Sequence, residues 1–335
     1  MEQVQELSPP AERTSADDPT HSRFWSRLGM NARHRRYFLN AFWLALVLRL
    51  LLFGIGYLAN RTVGKSSLPL DNVLYQAFVR WDANNFFLIA QNDYTAFGDH
   101  KYLLVFFPVY PWLLRSLSWV LQNLLNAALL LNLGCAVVAG YYLQCLVALD
   151  HDDETAHWAL KYFFLFPTAY FLCMPYSEGL FLALTLGSWY EARQGRWGRA
   201  GLAGMLASLT RLQGLVLFPA LLLEAWLQRK QTSWRRLLGV LLVPLGFGLY
   251  LLLNWRVQGQ PFAFLDLQKN FFGNHLVPPW QPVLDSLNYL KTGKATVQGT
   301  AVEVVRLVSV IWVVGTLLLG IKRIRWTYQL YAWAQ

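Results

Sequence analysis

The chain has 335 residues, of which 55% are hydrophobic, 16% aromatic and 14% charged. Soluble domains carry about 25% charged residues, so the charged fraction of this chain is low. The high hydrophobic and aromatic content excludes a disordered or collagen-like chain. Three cysteines are too few for a disulfide scaffold. The net charge of +10 gives little support to nucleic-acid binding, because the basic residues stand in short segments between apolar runs.

The N-terminal segment is polar, contains three prolines and ends in the basic cluster Arg33-His34-Arg35-Arg36. A cleavable signal peptide carries an apolar core close to its first residue, and this segment has no such core. We therefore expect residues 1–36 to form a disordered cytosolic tail. The apolar run that follows is expected to be a signal-anchor helix.

Eight apolar runs are candidate membrane spans, since an α-helix needs about 20 apolar residues to cross a bilayer. These runs are 37–59, 127–149, 157–174, 178–192, 198–210, 214–227, 237–254 and 302–321. Backbone that meets lipid must satisfy its hydrogen bonds within a helix. The pattern therefore predicts an all-α polytopic membrane protein, in which the shorter spans surround a water-filled cavity.

Basic residues predict the orientation, because Lys and Arg concentrate on the cytosolic side of membrane proteins. The tail and the loops at 193–199, 229–236 and 322–325 are rich in Lys and Arg. We place them inside, which makes the N-terminus cytosolic. Two long segments, 60–126 and 255–301, are then outer loops.

The first outer loop contains the apolar stretch 103–121, which hydropathy alone favours as another span. This stretch carries Pro108, Pro111 and Arg115. A crossing here would also move the Arg-rich loop 193–199 to the outside. We expect instead a juxtamembrane helix that lies at the membrane interface.

The same loop contains Arg80-Trp81-Asp82 in front of a helix-like run. A carboxylate in low-dielectric surroundings has a raised pKa and can accept a proton, so Asp82 is the candidate catalytic base. A second interpretation, which does not exclude the first, is that Asp82 caps a helix that starts at Ala83. Arg80 is either an ion-pair partner of Asp82 or a snorkelling side chain. Lys101 either faces an anionic headgroup or anchors the interface.

Two further charged residues stand at the predicted outer ends of helices. Glu178 follows Pro175-Tyr176-Ser177, and an ionisable group at the membrane edge indicates either a functional site or a charge that favours the helix dipole. Arg211 lies in the turn Thr210–Gly214 and has no acidic neighbour in sequence. Its five donors suit a phosphate, and the alternative is a snorkelled Arg in a tight turn.

The second outer loop adds Gln268, His275 and Trp280. A Trp that follows two prolines is a stiff aromatic edge, suited to stacking on a sugar or to anchoring at the interface. The six histidines show no spacing typical of a metal site, and the chain contains no Walker loop, dinucleotide fingerprint or nucleophile elbow. The sequence therefore predicts no metal site and no cofactor, and leaves a metal requirement open.

The candidate residues map to one predicted membrane face and suit one reaction type, group transfer from a lipid-phosphate donor to a hydroxyl. Asp82 would take the proton from the attacking hydroxyl. A nearby cation would stabilise the departing phosphate. One displacement would invert the anomeric carbon, by analogy with inverting glycosidases.

Four motifs occur in the order seen in the PIG-V family: Trp81-Asp82-Ala83, Phe106–Pro111, Pro175–Glu178 and Thr210-Arg211-x-x-Gly214. Over roughly residues 37–325 the chain resembles this family, the second mannosyltransferases of GPI-anchor synthesis and their prokaryotic relatives. The resemblance implies a GT-C-like glycosyltransferase fold, an active site on the non-cytosolic face and a long first outer loop with an essential Asp, here Asp82. The implied donor is polyprenyl- or dolichyl-phosphate mannose, and the implied acceptor is a glycolipid.

On this interpretation residues 37–335 form a multi-pass transmembrane catalytic domain. The candidate substrate-binding residues are Arg80, Trp81, Lys101, Tyr176, Glu178, Arg211, Gln268, His275 and Trp280. The chain departs from the family at Leu212 and Gln213 in the turn, and at Phe271, where Trp is usual. The family continues with one or two more spans beyond the position of Gln335, so the chain is expected to be either a fragment truncated at its C-terminus or a member that has lost activity.

Two other functions stay open from the sequence. One is a transporter or flippase of lipid-linked sugars. Such proteins show inverted repeats and charges inside their spans. In this chain, only Arg49 and Arg306 lie within clear spans. The other is a non-catalytic membrane partner of another transferase. The expected partners are membrane lipid, a lipid-linked sugar donor and a glycolipid acceptor, with no nucleic acid. The expected location is the plasma membrane of a prokaryote or the endoplasmic reticulum of a eukaryote.

Overall fold

The computed structural model describes residues 31–62, 73, 75–76, 78–230, 233–273, 277–278, 280–291 and 296–335. The α-helices are α1 (Ala32–Thr62), α2 (Asp82–Asn92), α3 (Val109–Leu121), α4 (Leu124–Asp150), α5 (Asp153–Leu165), α6 (Glu178–Arg193), α7 (Trp197–Ser208), α8 (Leu217–Leu227), α9 (Trp234–Leu237), α10 (Leu242–Gln258), α11 (Ala263–Phe272), α12 (Gln281–Lys291), α13 (Val297–Gly320) and α14 (Trp326–Trp333). Short 3-10 helices lie at Lys101–Val105, Pro167–Leu172, Leu212–Val216 and Leu238–Leu241. These described residues contain no β-strand, and the predicted all-α class is confirmed.

Four helical stretches among the described residues are long and apolar enough to cross a membrane: Ala32–Thr62, Leu124–Asp150, Leu238–Gln258 and Gly299–Gly320. The chain is therefore a multi-pass membrane protein, as the hydropathy predicts. The predicted spans between them are shorter helices, with 16 residues in α6 and 12 in α7. At 1.5 Å per residue these helices are about 18–24 Å long, less than the bilayer core of about 30 Å.

The predicted span 157–174 is divided in two. Helix α5 ends at Leu165, Phe166 is extended, and a 3-10 helix starts at Pro167. Proline removes a backbone donor and disfavours the helical conformation of the residue before it, so the helix stops here. The single uninterrupted span predicted from hydropathy is therefore wrong at this point.

Two predicted boundaries can be compared with the structure. Helix α1 starts at Ala32, so the basic cluster forms its first turn rather than the end of a tail. Residues 1–30 of the predicted tail lie outside the described residues. The stretch 103–121 contains α3, a helix of 13 residues. At about 20 Å this helix is shorter than the bilayer core, as α6 and α7 are, so the position at the interface stays a prediction.

Ion pairs gather the basic segments at one end of the helix bundle, which we call the basic end. The pairs are Arg33–Asp153, Arg36–Asp153, Arg193–Asp150 and Arg325–Glu224. Helix α6 ends there at Arg193 and begins at Glu178 at the opposite end, which we call the site end. Three of the basic segments predicted to share one side of the membrane, at 33–36, 193–199 and 322–325, therefore lie together.

Close backbone packing joins α7 to the segment in front of α10. A Cβ atom built on Gly201 would lie 1.8 Å from the carbonyl oxygen of Gly239. Small residues allow this approach, which is a main source of helix association in membranes. The contact holds α7, the helix that leads into the turn with Arg211, against the segment in front of α10.

Replacing Gly201 with Ala is expected to lower the thermal unfolding midpoint in detergent, because the added methyl group forces the two backbones apart at a cost of about 1–3 kcal/mol. The matched control is Gly198→Ala on the same helix, where a Cβ meets nothing within 4 Å. The control should keep or raise the midpoint, since Ala favours a helix over Gly. Equal midpoints for the two variants would contradict the packing argument.

Candidate active site

A cavity of about 430 Å³ opens at the site end. Volumes of about 300–1,000 Å³ are typical of small-molecule sites. Its apolar walls are mostly aromatic and comprise Phe86, Phe106, Phe107, Phe264, Phe272, Val105 and Leu212. Its polar lining comprises Asp82, Ser177, Thr210, Arg211, Gln213 and Gln268. Segments far apart in sequence therefore meet around one space, and three predicted site residues, Asp82, Arg211 and Gln268, face it together.

Asp82 is the first residue of α2 and is open to this cavity. The backbone N–H groups of Ala83 and Asn84 donate to the carbonyls of Arg80 and Trp81, at 3.0 and 3.3 Å. No side chain makes a capping hydrogen bond at this helix start. The alternative interpretation of Asp82 as a helix cap is therefore wrong.

The surroundings of Asp82 disfavour its charged form. Burial by the surrounding protein is the largest cause and raises the pKa of the Asp82 carboxyl above its ordinary value. The negative charge of Glu178 raises this pKa further, and the positive charge of Arg211 opposes the rise. A carboxylate with a raised pKa is a better proton acceptor near neutral pH than an ordinary Asp.

The residue before Asp82 has an unusual backbone conformation. Trp81 has φ 45° and ψ −119°, a left-handed φ that costs a residue with a side chain about 1–3 kcal/mol. Its indole is 74% exposed. The hydroxyl of the buried Tyr176 donates to the carbonyl of Arg80 at 3.1 Å and braces the same turn. The strained turn lets the chain enter α2 with Asp82 at the cavity.

Arg211 is paired with Glu178, with 2.7 Å between Arg211 Nη1 and Glu178 Oε1. The same Nη1 donates to Ser177 Oγ at 3.1 Å. The fold therefore supplies the acidic partner that Arg211 lacks in the local sequence. Because a guanidinium has five N–H donors, Arg211 can bind an anion while it keeps these two contacts.

Tyr176, a predicted substrate-binding residue, supports the cavity from behind and does not line it. Burial raises the pKa of its phenol to about 12, with a smaller contribution from the charge of Asp82. The phenol therefore stays protonated at neutral pH and acts as a donor, which agrees with its hydrogen bond to the Arg80 carbonyl.

Five other predicted residues that the structure describes are not among those that line the cavity: Arg80, Trp81, Lys101, Glu178 and Trp280. The ion pairs among the described residues do not include Arg80 with Asp82. Lys101 lies over the ring of Phe271, with Nζ 5.7 Å from the ring centroid. Trp280 is 61% exposed beside α12. His275 lies outside the described residues.

Sequence reasoning missed Asn132, an amide within α4 that is 1% exposed. It bonds the backbone of the loop that leads to Glu178. The available signal was a polar side chain inside an apolar span, which is costly and therefore indicates a function. No group of three or more His, Cys, Asp or Glu residues that could hold a metal ion occurs within the described residues.

Curated mammalian proteins named GPI alpha-1,6-mannosyltransferase 2 are similar to part of this chain. The protein from Rattus norvegicus is 36% identical over 160 residues, which cover 44% of this chain and 31% of the relative. The proteins from Mus musculus and Homo sapiens are 35% and 32% identical over 150 and 151 residues, each match covering 41% of this chain and 29% of the relative.

The chain thus spans about a third of the length of the curated relatives it matches. The resemblance to the PIG-V family that the motifs indicate is confirmed by these matches. No protein-family model matches the chain. No solved structure matches it at a significant level, so the GT-C-like architecture stays a prediction.

The strain at Trp81 predicts that glycine is more stable than alanine at this position, the reverse of the usual order within a helix. Trp81→Gly is expected to be more stable than Trp81→Ala by about 1 kcal/mol or more, because glycine adopts this backbone conformation without strain. The control is the same pair of substitutions at Asn84, inside α2 and exposed, where Ala should be the more stable by about 1 kcal/mol. Thermal unfolding of the four variants measures both differences, and the same sign at the two positions would rule out strain at Trp81.

Proposed function

We propose that this chain transfers a mannosyl group from a polyprenyl- or dolichyl-phosphate donor to a hydroxyl of a glycolipid, in the cavity at the site end. The observation that carries this proposal is that a carboxylate with a raised pKa, Asp82, and a cation, Arg211, line the same cavity. The similarity to proteins named as mannosyltransferases supports the choice of sugar.

Asp82 acts as the base in this proposal. Its carboxylate accepts the proton of the acceptor hydroxyl while the hydroxyl oxygen forms a bond to the anomeric carbon of the sugar. The bond between that carbon and the phosphate oxygen breaks, and the lipid phosphate leaves with the electron pair. Because attack and departure take place on opposite faces of the ring in one step, the anomeric configuration is inverted.

Arg211 binds the phosphate in this proposal and stabilises the negative charge that develops as the phosphate leaves. Glu178 holds the guanidinium in place through the 2.7 Å contact. The amide of Gln268 and the hydroxyls of Ser177 and Thr210 provide donors and acceptors for sugar hydroxyls. The aromatic walls suit the apolar faces of the sugar and the lipid chain.

The proposed orientation places the cavity on the non-cytosolic side and the N-terminus in the cytosol. The clustering of basic residues at the opposite end of the bundle supports this orientation, because Lys and Arg mark the cytosolic side. The membrane would be the plasma membrane of a prokaryote or the endoplasmic reticulum of a eukaryote.

The two Arg residues within the predicted spans, whose charges a transporter could use, both have hydrogen-bond or ion-pair partners within the chain. Arg49 donates to the carbonyls of Leu129 and Cys173 and is 5% exposed. Arg306 pairs with Glu303 at 2.8 Å, one helical turn away. These contacts favour the transferase over the transporter or flippase.

Asp82→Asn is expected to reduce the transfer of labelled mannose from a polyprenyl-phosphate donor in membranes by about 10²–10⁴-fold, because the amide cannot accept the proton. The matched control is Asp93→Asn, which removes an exposed carboxylate at the other end of α2, where it pairs with Arg115 at 2.9 Å outside the cavity. Turnover that persists in Asp82→Asn at wild-type protein levels would exclude Asp82 as the base. Uptake of the lipid-linked sugar without transfer would favour a transporter.

The pH dependence of kcat/KM should report the ionisation of Asp82 in the free enzyme. Activity is present above the pKa of Asp82 and is lost as the pH falls through it, which gives the pH profile an acidic limb. Because the pKa of Asp82 is raised, the midpoint of this acidic limb lies above the ordinary Asp pKa of about 3.9. Glu178→Gln removes a charge that raises the pKa, so the limb moves to lower pH. Asp93→Asn should leave the limb in place, and an upward shift in Glu178→Gln would contradict the assignment.

A further inference from the structure

A buried amide on α4 contacts two of the four motifs described above, Phe106–Pro111 and Pro175–Glu178. Asn132 Nδ2 donates to the carbonyl of Met174 and to the carbonyl of Tyr176, the second at 2.9 Å. Asn132 Oδ1 accepts from the hydroxyl of the fully buried Tyr110 at 2.8 Å. Both N–H donors of the amide and one acceptor position are therefore in use.

The segment held by Asn132 leads to both charged parts of the site. Tyr176, whose carbonyl bonds Asn132, donates its hydroxyl to the carbonyl of Arg80, two residues before Asp82. The next residues, Ser177 and Glu178, hold Arg211. Asn132 is thus connected to the candidate base through Tyr176 and to the candidate phosphate ligand through the start of α6.

The backbone needs this amide because it is irregular where Asn132 meets it. The 3-10 helix ends at Leu172 and α6 begins at Glu178. Between them, the Met174 carbonyl also accepts from the Tyr176 N–H at 2.7 Å, whereas the partner of the Tyr176 carbonyl among the described residues is the Asn132 amide. A buried polar group without a partner costs about 1–3 kcal/mol, and lipid supplies no replacement for water. A polar side chain on an adjacent helix is the available solution.

We propose that Asn132 is a positioning residue of the transferase proposed above. It touches no substrate, and it fixes Asp82 and Arg211 relative to each other by holding the backbone of Met174 and Tyr176. This inference rests on the proposed function. Tyr110, in the second motif, orients the amide so that both of its N–H groups point at the loop.

The first test compares Asn132→Leu with Gln144→Leu. Gln144 is a fully buried amide on the same helix, but it bonds the carbonyls of Tyr37 and Gly140 near the basic end. Both variants lose a buried amide, and Gln144→Leu should cost less stability because Gln144 Oε1 has no hydrogen-bond partner among the described residues. Asn132→Leu should lower kcat by about 100-fold, the loss that follows a misplacement of about 1 Å, while Gln144→Leu should keep the wild-type kcat.

A double-mutant cycle separates positioning from general destabilisation. Tyr176→Phe removes the hydroxyl that bonds the Arg80 carbonyl. If Asn132 acts through Tyr176, the double variant should lose much less kcat than the product of the two separate losses. Independent, multiplicative losses would overturn the proposal. Where Asn132→Leu does not fold, Tyr110→Phe, which removes one hydroxyl, should give a smaller change in the same direction.

Amide hydrogen exchange tests the structural link without any need for activity. Asn132→Leu should speed exchange in residues 174–178 and 80–84, and Gln144→Leu should not. Unchanged exchange in these segments, with an unchanged kcat, would overturn the inference while the proposed function stands. If the wild-type protein transfers no mannose, the proposed function fails, and the exchange result alone tests whether Asn132 holds this end of the bundle.

Discussion

Irregular backbone inside a membrane protein must find hydrogen-bond partners within the protein, because lipid offers none. The site end is built from such backbone: the strained turn at Trp81, the segment between the 3-10 helix and α6, and the turn after α7. Buried polar side chains on the long helices meet this need. Asn132 bonds two carbonyls of one segment, and Arg49 bonds the carbonyl of Cys173 at its start. These contacts lie directly before Ser177, which lines the cavity, and Glu178, which pairs with Arg211.

The charges at the cavity form a coupled set. Glu178 pairs with Arg211, and its negative charge also raises the pKa of Asp82. One carboxylate therefore both pairs with Arg211 and raises the pKa of Asp82. The guanidinium limits the rise by its positive charge, so the proton affinity of Asp82 depends on how well the pair is formed. In the proposed reaction, a phosphate that engages Arg211 would weaken this influence and further favour proton acceptance.

Carboxylates at the two ends of the bundle have different surroundings. At the basic end, the fully buried Glu224 receives hydrogen bonds from Arg325, Gln228 and Thr327, at 2.7–2.9 Å. A carboxylate satisfied in this way is structural, because every partner comes from the chain itself. At the site end, Asp82 caps no helix and opens into a cavity. Helix α6 connects the ends, with Glu178 at its start and Arg193 at its last turn.

Local sequence determined the all-α class, the approximate positions of the apolar helices and the choice of Asp82, Arg211 and Gln268 as candidate site residues. These could be predicted because hydropathy, helix-breaking residues and polar interruptions are properties of neighbouring residues. Tertiary structure alone paired Arg211 with Glu178 and excluded the cap at Asp82. It also left Lys101 and Trp280 outside the cavity and placed Asn132 against the segment before α6. The physical reason is that a buried hydrogen bond or ion pair depends on where distant segments of the chain pack. A single sequence contains both partners of such a contact but carries no local signal that they meet.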